Sequence, residues 1–188
     1  GGLATVQTLE QEQTQTDSHQ AHPTLQAIRQ DQATILSLAG MPPDPWQQTI
    51  LRSGSSRMQL LCTRQSGKST TASGLAINTA VMQPSSLILL LSPTLRQSGE
   101  LFRDKLLRMY HAAGTPVPIR RETALTMELQ NGSRIISLPE NEEGFRGYSG
   151  VRLLVIDEAS RVADGLYYAV RPMLAVSGGR LVTLSTPF

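Results

Sequence analysis

The pattern of apolar and polar positions changes twice along the chain. Residues 1–20 are rich in Gln and Thr and carry no apolar period, which reads as an arm or a weakly packed segment. From Pro23 to Ala39, Leu25, Ile28, Ile35 and Leu38 recur at helical spacing, and Gly40 is a natural stop. Met41-Pro42-Pro43-Asp44-Pro45 then reads as a hinge, followed by a short helix from Trp46 to about Ser53. Beyond it the period alternates between strand and helix. Met58–Cys62, Ser86–Ser92, Arg152–Ile156 and Arg180–Ser185 are short apolar runs. The runs SLILLLS and RLLVI lack the polar alternation of a half-exposed strand, so they predict strands buried on both faces. Helices are predicted from Gly67 to about Met82, from Leu95 to Ala113, and from about Val162 until Pro172 ends or kinks the last one. Thr126–Leu129 and Arg134–Leu138 flank Asn131-Gly132, a pair suited to a tight hairpin turn.

Strands alternating with helices predict an α/β fold, a mostly parallel sheet covered by helices on both faces. The chain of 188 residues suffices for one such domain. We divide it into a helical arm over residues 1–42 and a core over residues 43–188. Aromatic residues make up only 4%, which argues against a base-stacking single-strand binder. The net charge of +2 does not by itself indicate nucleic acid. One cysteine excludes an intrachain disulfide and suits a reducing cytoplasm. His19, His22 and His111 have no partners at metal-ligand spacing. No apolar run is long enough to span a bilayer, and no secretory signal is present at the start.

Candidate chemistry lies at the predicted strand ends. Cys62-Thr63-Arg64-Gln65-Ser66-Gly67-Lys68-Ser69, with Thr70 next, links a strand to a helix as a phosphate-binding P-loop does. Backbone N–H groups of such a loop and of the helix N-terminus face phosphate oxygens. Gly67 permits close approach, Lys68 is placed for the β- and γ-phosphates, and the Ser69 hydroxyl for Mg²⁺. Cys62 stands where the usual pattern has Gly. Leu153–Ala159 (LLVIDEA) is an apolar strand ending in two carboxylates. Asp157 suits a Mg²⁺ ligand and Glu158 a residue that polarises the attacking water. Each motif alone has a plainer reading, a turn or a helix cap; together they predict ATP and Mg²⁺ binding with hydrolysis.

Other features read two ways. Ser185 and Thr186 sit at a strand's C-terminal end, where open α/β sheets bind ligands, or mark an ordinary exit to a loop. Gln47 carries an amide able to read an adenine edge; Trp46 beside it suits either a base contact or a core anchor. Arg146, between Gly144 and Gly147, suits a catalytic arginine or a solvated loop residue. Arg96, Arg103 and, less closely, Lys105 share a helix face that tracks a phosphate backbone or simply meets solvent.

Taken together these segments resemble the large terminase subunit, the DNA-packaging motor of tailed bacteriophages and prophages. Cys62–Ser69 is similar to that family's R-Q-x-G-K-S/T loop and Pro45–Leu51 to its adenine segment. Ser92–Phe102 (SPTLRQSGELF), Phe145–Ala159 (FRGYSGVRLLVIDEA) and Leu184–Pro187 (LSTP) resemble further family segments. The resemblance covers about Pro43 to Phe188. It implies a RecA-like ASCE P-loop ATPase core in which Thr63, Arg64, Gln65 and Ser66 belong to the nucleotide loop. Asp157 is then the metal residue, Glu158 the catalytic carboxylate, and Ser185 and Thr186 the coupling residues. Arg146 lies where the family places an arginine finger. The implied partners are double-stranded DNA, a procapsid portal, a small terminase subunit and further copies in a ring, without a membrane, in the host cytoplasm. Family members continue into a nuclease for which no acidic cluster remains here, so DNA cleavage by this chain is not expected. Two alternatives stay open: the first core domain of a superfamily-two helicase, against which Arg64-Gln65 argues, and a non-catalytic ATP- or DNA-binding assembly module, against which Glu158 argues.

Overall fold

Strand β2 (Leu87–Ser92) is buried at every position, because its two rows of side chains enter two different cores. Ile88 and Leu90 face one layer of helices; Leu87, Leu89 and Leu91 face the other. This is the consequence of an apolar run with no polar alternation. The computed structural model describes residues 21–140, 144, 146–162 and 164–187. The arm expected over residues 1–20 lies outside the described residues.

Three short helices come first: α1 (Pro23–Gln30), α2 (Thr34–Leu38) and α3 (Pro45–Arg52). Strand β1 (Arg57–Leu61) leads through a loop into α4 (Lys68–Met82), which feeds β2. Helix α5 begins at Leu95–Gly99, widens into a π-helical stretch over Glu100–Leu107, and ends at Arg108–Ala112. Strands β3 (Ile119–Glu122), β4 (Thr126–Leu129), β5 (Arg134–Pro139) and β6 (Val151–Ile156) follow. A 3₁₀ turn (Ala159–Arg161), α6 (Asp164–Ser177) and β7 (Arg180–Ser185) complete the described chain.

The seven strands form one sheet in the order β1-β7-β6-β2-β5-β4-β3. From β1 to β5 every pair is parallel; β5-β4-β3 is an antiparallel extension at one edge. The expected doubly covered parallel sheet is therefore present. On one face α4 buries Ala72, Leu75, Ala76 and Ala80 against Ile88, Leu153, Val155 and Val182. On the other, Leu166, Val170 and Leu174 of α6, four residues apart, pack on Leu89, Leu154 and Ile156.

Several expectations need correction. The helix predicted over 23–39 breaks at Asp31, whose backbone is extended. Its Oδ1 accepts from the Ala33 N–H at 3.0 Å, so the aspartate starts a second helix rather than continuing the first. Those helices also share the main core: Leu25, Ile28, Ile35 and Leu36 lie in the same apolar cluster as α4. Gly74 makes that approach possible, since a Cβ there would lie 3.2–3.4 Å from Leu51, Ile35 and Leu36. Pro172 does not end α6, which runs to Ser177. Pro172 is exposed while Leu166, Val170 and Leu174 are buried, so packing outweighs the lost backbone bond. Strand β3 has no counterpart among the expected elements; its sequence IRRE has one apolar residue, and pairing with β4 alone makes it a strand.

A candidate nucleotide site at the sheet's C-terminal edge

The parallel strands β1, β6 and β7 end side by side, and each delivers a functional segment. The β1 pairing continues one residue past the strand, where the Cys62 N–H donates to the Ser185 carbonyl at 3.2 Å. The chain then turns through Gln65 (φ 58°) and Gly67 (φ 88°), both left-handed, before α4 begins at Lys68. Such a turn directs consecutive N–H groups into one concavity. Gly67 has a further reason to lack a side chain: a Cβ would lie 2.8 Å from Gln47 Nε2. The Ser66 hydroxyl is buried in this loop without a hydrogen-bond partner among the described residues.

Gln47 is 6% exposed and is turned under the loop. Its Nε2 donates to Thr71 Oγ1 at 3.0 Å and to the Gly67 carbonyl at 3.3 Å. Its Oε1 accepts from the Asp44 N–H at 2.9 Å. Both amide ends are engaged within the protein, so Gln47 braces the loop here.

Lys68 crosses from the loop to the end of β7. Its Nζ donates to Thr186 Oγ1 at 2.7 Å, the Cys62 carbonyl at 2.8 Å and the Thr63 carbonyl at 3.4 Å. A cavity of about 680 Å³ is lined by Arg64, Lys68, Ser69, Asp157, Glu158 and Thr186 among others. Seven positions singled out in sequence, Arg64 and Gln65 among them, thus converge on it. Thr63 is exposed, and Gln65, Ser66, Gly67, Ser69 and Thr70 also line a smaller cavity of about 120 Å³. Ser185 is buried beneath Thr186.

The two carboxylates are held differently. Asp157 continues β6, its N–H bonded to the Leu91 carbonyl at 2.8 Å, and its Oδ1 accepts the Glu158 N–H at 2.9 Å. Burial raises its pKa above the usual carboxylate value, and the charge of Glu158 adds to this. The Glu158 N–H and the Lys68 charge pull the other way. Glu158 occupies left-handed backbone (φ 50°, ψ 46°), a costly conformation for a non-glycine residue. Its Oε1 accepts from Gln97 Nε2 at 3.2 Å, and Gln97 is itself fixed by the Thr94 hydroxyl, which donates to its Oε1 at 3.0 Å. Its Oε2 lies 3.5 Å from Arg161 Nη1, an ion pair too long to count as a hydrogen bond, and is buried with no other partner among the described residues. The sequence reading missed Gln97 and Arg161. Arg161 had a local signal, being three residues beyond Glu158; Gln97, 61 residues away, lay in the family-like segment Ser92–Phe102 but was not singled out there.

Arg146 lies on an exposed turn and is not among the described residues lining the large cavity. Asn141, Glu142, Glu143 and Phe145 lie outside the described residues. The basic face expected on α5 divides. Arg96 pairs with Glu100 at 2.9 Å, Arg103 folds over Gly99, and Lys105 turns to the P-loop cavity. No described helix is long and apolar enough to cross a membrane.

Residues 60–188 match the family described as terminase large subunit, T4-like-virus type, N-terminal. The chain belongs to this large-terminase family. Membership associates it with phage DNA packaging. Among solved structures, the large-terminase ATPase domain of Thermus phage P74-26 is similar with a TM-score of 0.69 at 23% identity, over 81% of this chain and 68% of that one. The bacteriophage HK97 large terminase gives 0.65 at 16% identity, over 82% of this chain and 37% of that one. A large terminase from a thermophilic bacteriophage, solved in complex with ADP, gives 0.56 at 15%, over 82% and 38%. At these identities the likeness establishes the fold alone, a mostly parallel sheet covered by helices on both faces. The chain spans well under half the length of the last two proteins. No curated protein matches it.

Proposed function

We propose that this chain binds ATP with Mg²⁺ and hydrolyses it to drive double-stranded DNA into a procapsid. The observation that carries the reading is the convergence of Lys68, Ser69, Asp157, Glu158 and Thr186 on one cavity. The donor set fits the ligands. Among the described residues the buried Ser66 hydroxyl has no partner, in a loop whose turn gathers backbone amides, which suits an anion; a desolvated Asp157 carboxylate lining the same cavity as Ser69 suits a hard cation.

In this reading the amides of Gln65 to Ser69 hold the phosphate chain, and Ser69 and Asp157 hold the ion. Mg²⁺ supplies neutralisation of phosphate charge when bound. Lys68 leaves the Thr186 hydroxyl to meet the β- and γ-phosphates, so phosphate binding is felt directly at the end of β7. This gives Ser185 and Thr186 a physical route to act as coupling residues. Glu158 orients the attacking water and takes its proton, using the Oε2 that lacks a hydrogen bond in this structure. The ADP complex of the thermophilic phage's large terminase supports nucleotide binding by this fold. Portal, small terminase subunit and further copies in a ring are the partners this role requires, in the host cytoplasm and without a membrane.

The test is ATP turnover beside ATP binding. Glu158→Gln is expected to bind ATP like the wild type while turnover falls by roughly 100-fold or more. Lys68→Ala is expected to lose binding. Unchanged turnover in Glu158→Gln would refute the mechanism.

A further inference from the structure

We infer that the sheet edge opposite the nucleotide site is a track for the phosphate backbone of double-stranded DNA, carried by a row of six arginines. The choice of partner rests on the DNA-packaging reading above; the surface itself is assigned by no motif of the sequence. The net charge of +2 is spread unevenly over the fold. Arg57, Arg180, Arg152 and Arg134 stand at the N-terminal ends of the parallel strands β1, β7, β6 and β5, and Arg120 and Arg121 lie on β3. The pairing register joins them into one row. Arg57 pairs with Leu181, next to Arg180, and Arg180 pairs with Leu153, next to Arg152. Arg134 pairs with Leu87, whose other neighbour is Val151, on the far side of Arg152. Arg134 and Arg121 both pair with Glu128, from its two sides. From β1 to β3 the row crosses the whole sheet, roughly 29 Å at about 4.8 Å per strand spacing. That is a little under one turn of duplex.

The surroundings leave this charge uncompensated. The loops on the same edge, residues 53–56, 83–86, 114–118, 130–133, 147–150 and 177–179, contain no Asp or Glu. Most are built of Ser and Gly, small enough for a duplex to approach and able to bond phosphate oxygens through hydroxyls and backbone N–H groups. Glu128 is the one carboxylate within the row, and Arg120 pairs with it at 3.2 Å. Glu122 lies one position further along β3, opposite Met127. Asp31, near the loop that leads into β1, is paired with Arg52. Arg121, Arg134 and Arg152 are exposed, and among the described residues their side chains have no hydrogen bond or ion pair. Arg57 and Arg180 are held by backbone carbonyls, Arg57 Nη1 donating to Gly179 at 2.8 Å and Arg180 Nη2 to Ser53 at 3.0 Å. Those bonds fix the guanidiniums without cancelling their charge. A line of like charge this long matches a regularly charged polymer better than a single anion. The nucleotide cavity lies at the other edge, so both ligands fit at once. Strand β6 runs from Arg152 to Asp157 and β7 from Arg180 to Thr186, a direct link between the two edges.

The experiment titrates the full chain, without nucleotide, with a fluorescein-labelled duplex of about 30 base pairs over about 50–200 mM salt. Arg134→Ala and Arg152→Ala are each expected to lower the slope of log affinity against log salt by about 1, the signature of one lost phosphate contact. The double variant Arg134→Glu/Arg152→Glu is expected to lose at least roughly tenfold in affinity at low salt, and Arg134→Lys/Arg152→Lys to keep the wild-type slope. ATP binding is expected to be unchanged in all of them, which reports an intact fold. An unaltered slope in both Ala variants would overturn the inference. So would an equal loss in Arg96→Ala, at the start of α5 beside the opposite edge. A wild-type chain that hydrolyses ATP but binds no duplex at low salt would sink this inference and leave the ATPase reading standing. Duplex binding through the row without ATP turnover would do the reverse.

Discussion

Glu158 shows how much of the site was written locally. Asp157 and Glu158 follow an apolar strand directly, and Gly67-Lys68-Ser69 follow another, so strand, turn and residue type sit within a few positions and were legible. What holds Glu158 in place was not. Gln97 reaches it from the first turn of α5, and that contact exists only after β2 and β6 have paired. Gln47 shows the same limit: its chemistry was legible, but its contacts to Gly67 and Thr71 exist only once the loop has folded over it. Arg146 is the residue whose role local chemistry leaves most open. It stands on an exposed turn and is not among the described residues that line the large cavity. An arginine so placed serves catalysis best across a subunit boundary. ATP turnover per chain is therefore expected to rise with protein concentration, and Arg146→Ala to abolish that rise without changing the rate at high dilution. Turnover per chain that is independent of concentration in the wild type would show that no finger acts in trans.

Elements with a long, consistent pattern were placed to within a residue or two, as with α4, β2, β6 and β7. Elements made by their neighbours were not. Strand β3 exists because Ile119 pairs with Leu129 and Arg120 reaches Glu128 at 3.2 Å. The connection before it is fixed by one side chain from the end of α5. Tyr110 is fully buried, its hydroxyl accepts from the Val117 N–H at 3.1 Å, and it donates to the Val117 carbonyl. Burial pushes its pKa up to about 12, opposed by the bond to Val117. Tyr110→Phe keeps the ring but removes the partner of two backbone groups. Such groups left unsatisfied cost roughly 1–3 kcal/mol. Urea unfolding is expected to show a loss of that size. A loss below about 0.5 kcal/mol, the level of an ordinary surface change, would mean that water replaces the hydroxyl.

At the scale of the whole molecule, one sheet with two helical layers followed from strand–helix alternation, but the place of the N-terminal helices did not. Their apolar positions fit a helix whether it stands apart or packs on α4, and only the close approach at Gly74 decides between these. Besides that packing, an ion pair ties the α1–α2 joint to the end of α3. Arg52 grips Asp31 with two bonds, 2.9 and 2.8 Å, from its Nε and Nη2. The Arg52 hydrogen bond, helped by the Ala33 N–H, holds the Asp31 carboxyl down to about 2, from an ordinary value of 3.8. A carboxylate depressed by folding stabilises the folded state above its unfolded pKa, and that contribution is lost as pH falls through the folded value. The window here runs from about pH 4 down to about 2. Asp31→Asn keeps an acceptor for the Ala33 N–H and removes the charge together with the Oδ2 acceptor of Arg52 Nη2. Its stability deficit against wild type is expected to be constant from neutral pH to about pH 5, to shrink below pH 4 and to be almost gone near pH 2. Because both side chains are substantially exposed, added salt should reduce the deficit at every pH where it appears. A deficit that persists unchanged to pH 2 would mean that Asp31 acts through its shape alone, and that the helices are held against α4 by their apolar faces without help from this pair.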